Sequence, residues 1–313
     1  MTGVSIIVPY RNREAYLDRT LLSISQQQYR PLEVLLVDNG STDHSAQLAQ
    51  RFQQNFDGED FRVVLLSEST PGAAAARNAG LRRATHPYVY FFDSDDEMSP
   101  DFLSSAMRLM TEKQLDLVAA PTLMVLPDGQ KKERRYGYSC HPANQILTGM
   151  LSTQSMLIRT RFLREQDGWN EDLPYWNDWE LGLRLMLASP RMQWLRGKAY
   201  HRIYLHPDSI TGSSYAQSFD KMKIALLAAQ SLVRFLPKGR RGPCLAALAF
   251  REGIMAGILQ CEGRNDYAAE CLAMGLSMST TKTLRRATLL FYRYSSMGLR
   301  GAWRVAIRLC HYF

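Results

Sequence analysis

Apolar runs at residues 4–8, 32–37 and 61–66 alternate with two stretches, 14–27 and 41–54, whose apolar residues recur at helical spacing. Strand, helix, strand, helix, strand with crossovers of this length pairs its strands in parallel, because each helix carries the chain back along the sheet. Near-continuous apolar strands are covered on both faces, so helices are expected on each side. In the first helical stretch Leu17, Leu21, Leu22 and Ile24 are expected to face inward. The second follows the turn residues Asn39-Gly40-Ser41 and is capped around 41–43. Open sheets of this kind gather their chemistry at the C-terminal ends of the strands, here 9–12, 38–41 and 93–96, all polar.

The last of these ends is the most pointed. Tyr88-Val89-Tyr90-Phe91-Phe92 reads as a buried strand and runs directly into Asp93-Ser94-Asp95-Asp96. Clustered carboxylates repel one another unless a cation sits among them, and a hard divalent ion shared with substrate phosphate is the economical solution. A solvated acidic turn before the helix that follows Pro100 is the plain alternative. Upstream, residues 71–80 form a loop entering an Ala-rich helix that should pack closely on the sheet. Arg77 and Asn78 on that helix, taken alone, read as facing solvent.

Residues 116–125 read as a further strand, turned by Pro127-Asp128-Gly129, and 131–138 as a return strand or loop. A helix and then a strand are expected over 143–158, a helix over 179–187, a strand over 199–205 and a polar loop over 206–212. Beyond residue 215 the texture turns helical, with segments near 219–235, 244–261, 267–278 and 283–311, and 237–243 as the linker. The expected division is an α/β domain over 1–215 and a helical C-terminal region over 216–313.

The formal net charge of +8 favours partners that carry phosphate. Its excess lies after Lys221, where Lys and Arg are interleaved with Leu, Phe, Tyr and Trp. No nucleic-acid module accompanies it, so nucleic acid is not an expected partner. Five cysteines without a close pair read as reduced thiols, with neither a disulfide frame nor a zinc site. No leader and no apolar run of ~18 residues is read from the sequence, so a cytoplasmic protein, either soluble or peripheral at the inner face of a membrane, is expected. His201 and Cys140 carry no functional case.

Five pieces in order carry a resemblance: Val4 through Asn12 with Pro9, Tyr10 and Arg11; Val37-Asp38-Asn39-Gly40-Ser41-Thr42-Asp43; Gly72 through Gly80; Asp93-Ser94-Asp95-Asp96; and Asn177-Asp178-Trp179-Glu180. Over residues 4 to about 212 the chain resembles an inverting family 2 glycosyltransferase of the GT-A fold. The resemblance implies a Rossmann-like, mostly parallel α/β sheet flanked by helices, here with a C-terminal α-helical appendage. It also implies a nucleotide-sugar donor, often a UDP-sugar, a Mn²⁺ or Mg²⁺ cofactor, and transfer to a saccharide or lipid-linked saccharide hydroxyl in polysaccharide biosynthesis at the cell envelope.

By position in that family, Asp38 accepts the imide N–H of uracil, although an Asx-turn role suits its neighbours equally. Pro9, Tyr10, Arg11 and Arg77 would line the nucleotide cleft. Asp93 and Asp95 match the D-x-D element: Asp95 as direct metal ligand, Asp93 on ribose or on the metal through water, with Asp96 as an alternative. His206 corresponds to a histidine that reaches the metal or diphosphate. Asp178 would be the general base, with Asn177 where the family usually has Glu; Glu180 remains a candidate for the same work. Trp169, Tyr175, Trp176 and Trp179 could stack on a sugar ring or pack in the core.

Two rival readings follow from the same residues. A nucleotidyltransferase making nucleotide sugars would need a Gly-rich basic loop after the first strand, and Pro9 through Glu14 holds no glycine. A catalytically inactive nucleotide- or glycan-binding protein is conceivable because of Asn177. A peripheral membrane contact through the basic tail, and a homo-oligomer, complete the expectations.

Overall fold

The computed structural model describes residues 2–133, 139–206 and 214–313. The chain begins β1 (Val4–Tyr10), α1 (Leu17–Ser25), β2 (Leu32–Asp38), α2 (Ser45–Phe56), β3 (Phe61–Ser67), α3 (Ala73–Arg83), β4 (Tyr88–Phe91) and β5 (Glu97–Met98). It continues through α4 (Phe102–Glu112), β6 (Leu117–Ala119), β7 (Thr122–Val125), β8 (Lys131–Glu133), α5 (Pro142–Thr148), β9 (Met156–Arg159) and α6 (Thr160–Arg164). Then come α7 (Asn177–Leu187), β10 (Met192–Trp194) and β11 (His201–Tyr204), followed among the described residues by helices only. These are α8 (Tyr215–Arg234), α9 (Lys238–Cys261), α10 (Asn265–Met278), α11 (Lys282–Ser296) and α12 (Ala302–Leu309).

Two compact units emerge. The first comprises Met1–Arg135, Leu151–Asp172 and Ala188–Asp208, and the second Tyr136–Met150, Leu173–Leu187 and Ser209–Phe313. The helical unit thus takes in two earlier stretches besides the residues after 215.

In the sheet unit seven strands run in the order β10-β6-β9-β4-β1-β2-β3. The β1–β2, β1–β4, β2–β3 and β6–β10 pairs are parallel, and β9 alone runs antiparallel to its neighbours. This is the mixed, mostly parallel α/β sheet that the strand–helix alternation requires. Register brings the strand ends level: Tyr10 pairs with Asp38, and Asp38 with Ser67. Every residue of β1 and β4 is buried. On one side Ile6, Val8, Tyr90 and Phe92 pack with Leu17, Leu21 and Phe102, each large side chain worth about 1.5–3 kcal/mol of removal from water. On α3, a Cβ at Gly80 would lie 2.4 Å from Cγ2 of Ile7, so this helix approaches β1 more closely than alanine allows.

Several sequence expectations shift. Leu22 is 52% exposed, because α1 turns Thr20, Leu21 and Ile24 to the core instead. The run at 116–125 is two strands, broken at Ala120-Pro121, with β6 in the large sheet and β7 in a second sheet ordered β5-β11-β7-β8. The expected return strand is β8; residues 134–138 of that reading lie outside the described residues, as does 207–212 of the polar loop. The linker at 237–243 is mostly helix: α9 starts at Lys238 and carries Pro243 inside it. The last expected helix is two, separated at Gly298 and Gly301, both at positive φ.

In the helical unit α9 is the central element, packed by α5, α8, α10 and α11. By length and composition α9 could cross a bilayer, which the sequence reading did not anticipate, yet 67% of its most apolar stretch is buried. All five cysteines are free.

Candidate active site

The end of β4 concentrates charge. Asp93 accepts from Arg77 Nη2 at 2.7 Å on Oδ1 and from Gln154 Nε2 at 2.7 Å on Oδ2. Arg77 is 6% exposed and stacks over Trp169, 4.3 Å from the ring centroid. The solvent-facing reading of Arg77 is therefore corrected: its guanidinium is buried against the Trp169 ring and ends on the carboxylate of Asp93. Asn78 is engaged too, pairing with both the N–H and the carbonyl of Trp169 at 2.9 and 2.8 Å and with Glu171 at 2.7 Å.

Asp95 faces a different set. Its Oδ2 lies 3.0 Å from His206 Nε2 and 3.6 Å from Arg13 Nε. His206 stacks on Tyr16 with centroids 4.7 Å apart. Arg19 donates to the Asp95 carbonyl and lies over the Tyr204 ring at 3.9 Å, fixing the turn from below. Asp96 is 2% exposed and accepts from Tyr204 N at 2.9 Å and from Gln154 Nε2. Burial first, then the charges of Asp95 and Asp93, push its carboxyl well above the usual carboxylate range. The D-x-D spacing thus sorts into a carboxylate held by arginine, a carboxylate beside a histidine, and a third that is buried.

At the end of β2, Asp38 Oδ1 accepts from Ser41 N at 2.9 Å, so the Asx-turn bond is present. Asn39 ties this end to the loop before α3, donating to the carbonyls of Glu68 and Thr70 at 2.8 and 2.7 Å and accepting from Gly72 N at 2.8 Å. Tyr10 is 5% exposed, and burial, then the nearby Asp38, raises its phenol far above the ordinary value. Its ring belongs to the core, and of the two roles considered for it only a backbone contact suits this placement. Pro9 is buried and Arg11 exposed.

Asp178 belongs to the helical unit, in the first turn of α7 and half-buried, where its Oδ1 accepts from Trp179 N at 2.8 Å. Glu180, its rival, is 2% exposed and held by Arg184 through two bonds of 2.8 and 3.0 Å. Trp169 and Trp179 are buried in the cores of their own units and offer no sugar platform, whereas Tyr175 and Trp176 keep part of their surface exposed. His201 is a core residue whose imidazole burial lowers to about 3.

The sequence reading missed Arg13, Arg19, Tyr16 and Gln154. Only Gln154 left a trace, as the middle of a polar run, 152–155, placed before an apolar strand and wholly buried.

A hard divalent ion fits this donor set. Asp95 and His206 place an oxygen and a nitrogen side by side, next to two further carboxylates. Among the described residues no cluster of three His, Cys, Asp or Glu side chains is spaced to hold a metal. Such an ion would therefore take its other positions from water and substrate phosphate, as magnesium-type sites commonly do.

A mostly parallel sheet with an acidic turn at the C-terminal end of a central strand defines the GT-A class of α/β fold. The chain belongs to glycosyl transferase family 2, whose description it matches over residues 5–173. It is 28% identical over 207 residues to the chondroitin synthase of Pasteurella multocida, covering 66% of this chain and 21% of that one. The chain spans less than half the length of the first curated relatives it matches. In fold it is similar to S. aureus TarS 1-349 in complex with UDP-GlcNAc, with a TM-score of 0.62 at 19% identity, covering 95% of this chain and 92% of that one. It is also similar to the mannosyltransferase PcManGT from Pyrobaculum calidifontis in complex with GDP-Man and Mn²⁺, with a TM-score of 0.61 at 18% identity and coverage of 99% and 84%.

Proposed function

We propose that this chain is an inverting glycosyltransferase that moves a sugar from a nucleotide sugar, a UDP-sugar, to a hydroxyl of a saccharide or lipid-linked saccharide in cell-envelope polysaccharide synthesis. The observation that carries it is the crowding of Asp93, Asp95 and Asp96 with His206, Arg13 and Arg77 at the end of β4. Membership of the family and the UDP-GlcNAc bound to the TarS neighbour support the donor class.

Asp38 receives the uracil imide N–H, and the level ends of β1 and β2 bring the backbone of Pro9 and Tyr10 beside it. Arg77 orients Asp93 toward ribose. Arg13 and Arg11 attract the diphosphate. Asp95 and His206 would hold Mn²⁺ or Mg²⁺, which supplies charge neutralisation on the departing nucleoside diphosphate. Asp178 takes the proton of the acceptor hydroxyl as its oxygen bonds to C1 and the C1–phosphate oxygen bond breaks on the opposite face. Asp178 is favoured over Glu180 because Glu180 is committed to Arg184.

The same reading places the protein at the inner face of a membrane. After Glu270 the chain carries Lys282, Arg285, Arg286, Arg293, Arg300, Arg304 and Arg308 and no Asp or Glu. Leu290, Met297, Val305 and Tyr312 stand exposed among them by 65, 75, 58 and 84%. Cations interleaved with exposed apolar side chains suit an anionic lipid surface. Pelleting with phosphatidylglycerol vesicles and not with phosphatidylcholine vesicles, lost in the Leu290→Ser/Met297→Ser double variant, is the expected result.

Nucleoside diphosphate release from a panel of nucleotide sugars with Mn²⁺ tests the enzymatic reading. Release by the wild type that disappears in Asp95→Ala is expected. Thermal stabilisation by nucleotide sugars without any release would instead leave a binding protein, and no response to any of them would remove the donor class.

A further inference from the structure

Asp178 follows Trp176 by two residues, and Trp176 holds φ at 55°. Left-handed backbone at a non-glycine residue costs on the order of 1–3 kcal/mol and persists only where its surroundings fix it. The group packed against this turn is Arg251, from the middle of α9. Its guanidinium carbon lies 4.3 Å from the Trp176 ring centroid and 4.8 Å from that of Trp179. Its Nη1 donates to the Ile146 carbonyl at 2.8 Å, with the Leu147 carbonyl at 3.4 Å. These carbonyls close the C-terminal end of α5, where the helix leaves acceptors without partners and favours a cation.

The knot closes on itself. Trp179 Nε1 donates to the same Ile146 oxygen at 3.1 Å, and Gln145 Nε2 returns to the Trp179 carbonyl at 3.2 Å. The Nε of Arg251 is buried without a hydrogen-bond partner among the described residues, and burial lowers its pKa from the ordinary guanidinium value. Such a placement costs desolvation and is offset by two aromatic faces and the carbonyls. One cation therefore joins α5, α9 and the two tryptophans that bracket Asn177 and Asp178.

We infer that Arg251 is a positioning residue for Asp178: it fixes the turn at Trp176 and the first turn of α7, and so sets where the carboxylate of Asp178 stands. The inference rests on the reading of Asp178 as general base. Arg251 lies far beyond residues 5–173, so the helical unit contributes to catalysis from outside the family match. Lysine can replace it only in part, since a point charge neither stacks flat on the rings nor reaches two carbonyls from one plane.

The test uses the full chain with Arg251→Lys, Arg251→Met, Asp178→Asn and the Arg251→Met/Asp178→Asn double variant. Amide hydrogen exchange over 173–179 needs no donor, and it should quicken at least about tenfold in Arg251→Met while amides of β1 and β4 keep their rates. UDP affinity with Mn²⁺ should stay within about twofold, because nucleotide binding is assigned to the other unit. For UDP release from UDP-GlcNAc, kcat should fall on the order of 100-fold with KM unchanged, Arg251→Lys lying between. The double variant should be no slower than Asp178→Asn, since a misplaced base and an absent one are equivalent. Unchanged exchange over 173–179, or losses that multiply in the double variant, overturns the inference. Full turnover in Asp178→Asn overturns the general-base reading itself, while the exchange result still decides whether Arg251 holds the segment.

Discussion

Each unit stacks an arginine on tryptophan and uses it differently. Arg77 stacks on Trp169 and ends on the carboxylate of Asp93, whereas Arg251 stacks on Trp176 and Trp179 and ends on helix carbonyls. The first bonds a carboxylate at the end of a strand; the second bonds the carbonyls at the end of a helix beside a left-handed turn. An ion pair of the first kind tunes a ligand site directly. A cation without a carboxylate tunes only the backbone around it, so its influence must travel through shape.

Variants can break this contrast. Arg251→Met should alter turnover far more than nucleotide affinity, and Arg77→Met should do the reverse. For Arg77→Met the loss of one charge-assisted bond to Asp93 should weaken UDP binding about tenfold, measured by calorimetry with Mn²⁺. It should also lower stability by about 2 kcal/mol in urea unfolding, less than for a fully buried pair because Asp93 keeps water contact. Equal effects of the two variants on UDP affinity would abolish the distinction.

Gly80→Ala tests how close the sheet unit is packed. The added Cβ meets Ile7, itself buried in β1, and the variant should lose about 1–3 kcal/mol, read from the same unfolding curves. No loss would mean α3 can slide away from β1.

A smaller effect belongs to the helical unit. Burial raises the Glu252 carboxyl from 4.5 to about 8, with Gln230 bonded to it at 2.7 Å. The folded chain therefore keeps a proton that the unfolded chain has released, so this contribution is complete below pH 4.5 and is lost as pH rises through 8. Glu252→Gln keeps the acceptor oxygen and removes the titration. Its thermal midpoint should exceed that of the wild type at pH 9 and converge with it at pH 5. Smallest of all, Arg161→Ala breaks an exposed pair with Glu165 and should change stability by less than about 0.5 kcal/mol.

The sheet was largely legible because β1, β2, β3 and β4 are near-continuous apolar runs, and a helix between successive strands leaves little choice of pairing. The break at Ala120-Pro121 was not, since apolar residues on both sides of it serve two different sheets and carry no sign of which. Asp93, Asp95 and Asp96 stood out by clustering, and Asp38 by its place at a strand end. Arg77 was misread when taken alone: an arginine on a helix usually faces water, and only the partner carboxylate sixteen residues later draws it inward. Gln154 and Arg251 were illegible for a related reason. Each matters through what it meets across more than fifty residues of chain, and local spacing holds no record of that.

α9 carries a burden during synthesis. It leaves the ribosome as an apolar rod before α10 and α11 exist to cover it, and until they follow, chaperones and membranes compete for the same surface. Truncation after Cys261 should therefore yield aggregate or membrane-bound material, because the segment that completes the fold is also the one that hides the rod.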